Sequence, residues 1–397
     1  MYVVIRMVAF RRLWLNAVAS AVSIGGDFVL VGWLAHSVTG DAGWTGTAFA
    51  LLFLPGLLFG APAGSIADRF NRHHLLRALE LIAAGMLLGL AVVFSLGEAG
   101  LVHVLAMPFV LGTIRSSQNP VRLSLAYDIV GPDNAMAGIA GVSLGTRLGT
   151  IFGALSAGSL AEVFGLSGAF VVMAASHGLA WLLLGQQACA TTAQVIDREP
   201  ILKNLAASFA ELRRNEVLLA LVLVTAVVEV FGTSFSTLVP NLTHDRLGLG
   251  AEGIGWLFAA QAGGALIAGF TLFVWTPKER QLLAYVFVIT GLGITVMLLG
   301  WVHSMVGLLM VLALIAAAIS AWDILTQGMM QSSVPEHLRG RAMGAWIFAI
   351  GSAPIGHFQI GLLATAIGAD WSLYGNGALV LVTIIAALLL SPSLRKL

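Results

Sequence analysis

Across 397 residues, 58% are hydrophobic and 10% charged, and the mean hydropathy is +0.94, against about 25% charged residues in an ordinary soluble domain. Such a composition excludes water as the main solvent for this surface. The single cysteine, Cys189, excludes an intramolecular disulfide, and no Cys/His cluster has metal-ligand spacing.

Stretches of about 18 or more residues with almost no charge predict membrane-spanning helices. They fall near 13–38, 45–66, 74–96, 101–123, 135–161, 166–187, 217–240, 252–275, 281–300, 304–331, 341–366 and 370–391. The fold class is therefore all-α and membrane-embedded, with about twelve transmembrane helices. Arg6, Arg11 and Arg12 precede the first span in the manner of a signal peptide. An apolar region beyond about 20 residues is too long for a cleaved one, so the first span is expected to stay.

The formal net charge of +1 hides an asymmetry between alternate loops. Arg6, Arg11, Arg12, Arg69, Arg72, Arg77, Arg122, Arg198, Lys203, Arg213, Arg214, Lys278, Arg280, Arg339, Arg341, Arg395 and Lys396 fall on one side. Arg246 is alone among basic residues on the other, beside Asp41, Glu98, Glu162, Asp245, Glu252 and Asp370. Basic loops face the cytoplasm, which predicts cytoplasmic termini in an inner (plasma) membrane.

Taking the nearest charged or loop residues as the two faces, the first span runs from Arg12 to Asp41 and centres on Asp27. The same bracketing centres the fifth span on Arg147, the seventh near Glu229 and the tenth near Asp323. Arg115 sits about 6 Å to the cytoplasmic side of its span's centre, at 1.5 Å per residue, so an Asp27–Arg115 pair is geometrically feasible. His177 and His357 also lie near mid-span. Each charge at bilayer depth costs about 2.5–3.5 kcal/mol on insertion scales, so these groups must face inward, pair, or line a wet cavity. A static bond between Arg147 and one acid, and a packing role for His177, are the plainer alternatives to function. His357 is a candidate proton-sensitive gate.

Between the sixth and seventh spans lies one long polar stretch, which predicts an N-terminal six-helix bundle over 1–187, a linker over 188–216 and a C-terminal bundle over 217–397. Leu202, Leu205, Phe209 and Leu212 recur at spacings of three and four opposite Lys203, Glu211, Arg213 and Arg214, as in an amphipathic interfacial helix. Val130-Gly131-Pro132-Asp133 precedes the fifth span and Val334-Pro335-Glu336 the eleventh, a weak sign of two equivalent halves. No G-x-x-x-x-G-K-[ST] loop is present, so direct ATP coupling is not expected. The ionisable residues are spread over separate spans without a nucleophile–base or metal arrangement, so no catalytic residue, metal or cofactor is expected.

From Gly64, the loop after the second span reads G-x-x-x-D-R-x-x-R through Asp68, Arg69 and Arg72, and Leu111, Arg115 and Gln118 fit L-x-x-x-R-x-x-Q. With these motifs the whole chain resembles the major facilitator superfamily, in its enterobactin-exporter and macrolide-efflux-type branch. Asn71, His73 and Asn119 depart from the family pattern, and the fifth span lacks the proline of the antiporter signature while carrying Gly141, Gly145, Gly149 and Gly153. The resemblance implies two pseudo-symmetric six-helix bundles. It also implies a conformational latch of Gly64, Asp68, Arg69 and Arg72 against Arg339 and Arg341. The expected function is export of a small amphipathic molecule, drug-like or a siderophore, by alternating access. Proton antiport would use Asp27, Arg115, Glu229 and Asp323, with Arg147 and His357 as further candidates. Import, or flipping of a lysolipid, is the competing reading within transport. Protons, membrane lipids and the small-molecule substrate are the expected partners, with no nucleic acid, and the expected state is a monomer.

Overall fold

Helix dominates because an apolar membrane leaves the main chain no partner but itself. The computed structural model describes residues 2–97, 100–131, 134–185, 215–274, 280–335 and 338–396, and among them there is no strand. After a short turn over Tyr2–Arg6 come α1 (Val8–Thr39), α2 (Ala42–Arg69), α3 (Arg72–Ser95), α4 (Leu101–Val130) and α5 (Ala135–Leu184). The second half holds α6 (Glu216–Val227), α7 (Val239–Leu247), α8 (Ala251–Val274), α9 (Gln281–Leu299), α10 (Met305–Ser332), α11 (Arg339–Ile350), α12 (Ala353–Ile367) and α13 (Ala369–Leu390).

Among the described residues, ten helical stretches are long and apolar enough to cross a membrane. Two further facts bring the count to the expected twelve. At 50 residues, α5 would be about 75 Å long as one rod, more than twice a bilayer's apolar core. It divides at Gly165, whose φ of 68° and ψ of −179° break the helix in a region that favours glycine. α4 has 30 residues, ample for a span, but carries Arg115, Arg122 and Asp128. It runs to Val130, seven residues past the predicted end near 123. The predicted linker over 188–216 lies outside the described residues except for Asn215 and Glu216.

Two units emerge. Unit one comprises Met1–Gly40, Leu51–Asp197 and Gly248–Ala262; unit two comprises Asp41–Ala50, Arg198–Leu247 and Gly263–Leu397. Each thus contains a short stretch from the opposite half of the sequence. In unit one the borrowed start of α8 meets α5, where a Cβ at Gly158 would press on the Ala251 carbonyl and one at Gly255 on the Ala154 carbonyl. In unit two the borrowed start of α2 meets α12, where Gly46 and Gly361 face each other backbone to backbone.

Unit one is built on α1 against α5. A side chain at Gly141 would strike Phe10, one at Gly145 Trp14, and one at Gly149 or Gly153 the main chain of Val18 or Val22. All four pairs keep the same offset, so the two helices run parallel at backbone distance, the close approach that small residues permit. Phe10, Leu13, Ala17, Leu76, Val121 and Leu125 close one apolar cluster of this unit. In unit two, Arg246 donates to the carbonyls of Leu299 (2.8 Å) and Gly300 (3.1 Å) and pairs with Asp370. Arg246 is thereby tied to an acid and to the carbonyls at and just beyond the end of α9.

Candidate functional site

In unit one, polar side chains line one face of α1 and one of α4. Asn16, Ser20, Ser23 and Asp27 recur at spacings of four, three and four, which stacks them on one side of a helix, and all are buried. Arg115, Gln118 and Arg122 recur at three and four on α4. The two stripes meet and form two layers.

In the central layer, Asp27 is 3% exposed, and the Ser23 hydroxyl donates to its Oδ1 at 3.4 Å. Arg115 lies within electrostatic reach of Asp27. Its guanidinium packs against Phe28 (5.0 Å to the ring centroid) and Phe53 (5.6 Å). Phe28 also meets Phe53 at 6.0 Å and Phe258 at 5.5 Å. Asp27 and Arg115 thus share one layer of the unit, within electrostatic reach of each other and with no hydrogen bond between them.

In the second layer the sequence reading needs correcting. Arg122, grouped there with the cytoplasmic basic residues, is 1% exposed and is drawn inward by Glu80, which is fully buried. The Arg122 Nη2 donates to Glu80 Oε1 (2.9 Å) and Ser20 Oγ (2.8 Å), and its Nε donates to Asn16 Oδ1 (3.1 Å). Asn16 donates to Glu80 Oε1 and the Ala180 carbonyl, both at 3.0 Å. Gln118 donates to Glu80 Oε2 at 3.2 Å, and His177 Nδ1 lies 2.6 Å from that oxygen. His177 is thus hydrogen-bonded and buried. Glu80 was missed altogether: with Arg72, His73, His74 and Arg77 in the turns before it, it reads as part of the charged end of its span. Its signal lay in the neighbouring stripes, which present four polar groups with no acid of their own at that level.

Arg147 is partly buried on α5. The latch residues are only partly visible. Gly64, Asp68 and Arg69 lie in the last turns of α2, and Arg339 and Arg341 open α11, but the side chains of 60–69 and 339–341 lie outside the described residues. Arg72 pairs with Asp128 of α4 at 2.7 Å. Asn71, a departure from the family pattern, caps α3 by accepting from the main-chain amides of His73 and His74, both at 3.1 Å.

In unit two, Glu229 sits in a π-helical turn over Val228–Gly232, followed by a 3-10 turn over Ser234–Leu238. This interrupts the seventh span at the residue singled out, and π-turns often mark functional sites. Glu229 and Asp323 lie within electrostatic reach, and Gln327 donates to Asp323 Oδ1 at 3.1 Å. His357 is 2% exposed; its Nδ1 lies 2.8 Å from the Thr237 hydroxyl, and its ring stacks on Phe49 at 5.7 Å.

Both units hold ionisable groups within apolar helices long enough to cross a membrane, the setting in which such groups mark substrate and ion pathways in a membrane carrier. The chain belongs to the Major Facilitator Superfamily, whose model matches residues 13–356. It is 26% identical over 384 residues to the enterobactin exporter EntS of Escherichia coli O1:K1 / APEC, covering 94% of this chain and 90% of that protein. Its fold is similar to a bacterial homolog of the human lysosomal transporter Spinster, solved inward-facing and unoccupied (TM-score 0.75, 15% identity, 98% of this chain and 97% of that one). It is also similar to a mutant of the nucleoside transporter NupG (TM-score 0.81, 12% identity, 96% and 99% covered). At such identities the structural likenesses speak for the fold alone.

Proposed function

We propose that the protein exports a small amphipathic molecule, drug-like or a siderophore, across the inner membrane in exchange for protons. The observation that carries this reading is the central layer of unit one, where Asp27 is buried with only a long hydrogen bond from Ser23 and a guanidinium held nearby by phenyl rings. A carboxyl that is not locked into an ion pair can take up and release a proton as the cavity alternates between faces. Glu229 and Asp323 are the corresponding acids of unit two. Arg147 balances charge and His357 with Thr237 serves as a gate. Gly64, Asp68, Arg69 and Arg72 latch against Arg339 and Arg341 at the cytoplasmic face. The loop charges support cytoplasmic termini, the whole-length similarity to an enterobactin exporter supports the outward direction, and the protein works as a monomer among membrane lipids.

The test is the internal pH of inverted membrane vesicles on addition of catechol siderophores, macrolides or lipophilic cations. The expected result is a substrate-driven proton flux that falls to background in Asp27→Asn. Flux unchanged by neutral amides at Asp27, Glu229 and Asp323, taken one at a time, would sink the antiport mechanism. Accumulation in right-side-out vesicles would instead make the protein an importer.

A further inference from the structure

We infer that Arg115 and the phenyl rings around it form a recognition site for an aromatic oxyanion, a carboxylate or phenolate carried on a planar ring. This rests on the reading of the protein as a carrier of small molecules and names the chemical class it takes.

The two arginines of the α4 stripe provide the contrast. Arg122 has Nε and Nη2 bonded to Asn16, Ser20 and Glu80, and its charge is met by the Glu80 carboxylate. Arg115 is held differently. Phe28 and Phe53 lie against its guanidinium, at 5.0 and 5.6 Å, which fixes the cation's orientation without using its N–H groups. Its Nη1 is buried and has no hydrogen-bond partner among the described residues. The carboxylate within electrostatic reach, Asp27, accepts one long hydrogen bond from Ser23 and none from Arg115. A buried donor normally finds an acceptor, and a guanidinium offers its donors as a fork that fits an oxyanion. The surroundings add the second half of the specificity. Phe28 lies 6.0 Å from Phe53 and 5.5 Å from Phe258, and such rings favour another flat ring in offset or edge contact. An anion alone would satisfy the fork and an apolar ring alone the phenyls; one molecule bearing both satisfies the whole site. Arg115, Phe28, Phe53 and Phe258 all belong to unit one.

The test is calorimetric titration of the purified full-length protein with 2-naphthoate, 2-naphthamide, cyclohexanecarboxylate and a naphthylmethylammonium salt. The expected result is 2-naphthoate binding at least about tenfold more tightly than each of the other three, with that affinity lost by about tenfold or more in Arg115→Gln. Phe28→Leu with Phe53→Leu should keep carboxylate binding but erase the preference for naphthoate over cyclohexanecarboxylate. Arg115→Lys, which keeps the charge and loses the fork, gives a second readout if the glutamine variant does not fold, and should weaken naphthoate severalfold. Equal binding of the amide, preference for the ammonium, or naphthoate affinity unchanged in the folded variants would overturn the proposal. No gradient is used, so binding can succeed where proton-coupled export fails, and the two readings stand or fall separately.

Discussion

Two layers of charge lie side by side in unit one, and they are built on opposite principles. Around Glu80 the carboxylate oxygens accept from Asn16, Gln118 and Arg122 and one meets His177 at 2.6 Å. Around Asp27 there is one long hydrogen bond from a serine and an arginine packed on phenyl rings. Burial alone does not separate the two acids, since both are nearly inaccessible. Saturation does: a fully bonded carboxylate has little to gain from a proton or a ligand, whereas a sparsely bonded one is left free to respond.

Substitutions can break that contrast. Glu80→Ala should have the largest effect on stability, about 3–5 kcal/mol, because it strands Arg122 without a counter-charge; thermal unfolding in detergent measures it. Equal stability to the parent would mean that the second layer is not structural. Ser20→Ala removes an acceptor of a charged donor and should cost about 1.5–3 kcal/mol in the same assay. Asp27→Asn should cost less than either while abolishing proton flux, and a large loss of stability there would place both layers in the same class. The smallest effect is expected of Ser23→Ala, below about 1 kcal/mol, since its hydrogen bond is long. Transport by that variant should be close to the parent's.

Hydropathy was enough to find the spans, because a membrane helix must be apolar along nearly its whole length. Bracketing by loop charges was enough to place Asp27, and the Arg115 and Gln118 motif put the α4 stripe in view. Arg122 was misjudged because α4 continues seven residues past the end its composition suggests. A basic residue near a cytoplasmic end reads the same whether it points to water or to a buried acid, and only its register with Arg115 and Gln118 tells the two apart. The π-turn at Glu229 is a change of hydrogen-bond register, and Val228, Val230, Phe231 and Gly232, though weak helix formers, are ordinary residues of an apolar span and did not mark it. The exchange of short stretches between units was equally hidden, because it depends on glycine contacts between residues about 100 to 300 apart in the chain.

The parallel ladder of Gly141, Gly145, Gly149 and Gly153 on Phe10, Trp14, Val18 and Val22 fixes more than a distance. One residue added to either helix within that ladder would rotate everything beyond it by about 100°, turning side chains into places that hold only hydrogen atoms. Insertions and deletions are therefore barred from these stretches of α1 and α5 and pushed into the loops. An engineered tag, epitope or fused domain belongs there too.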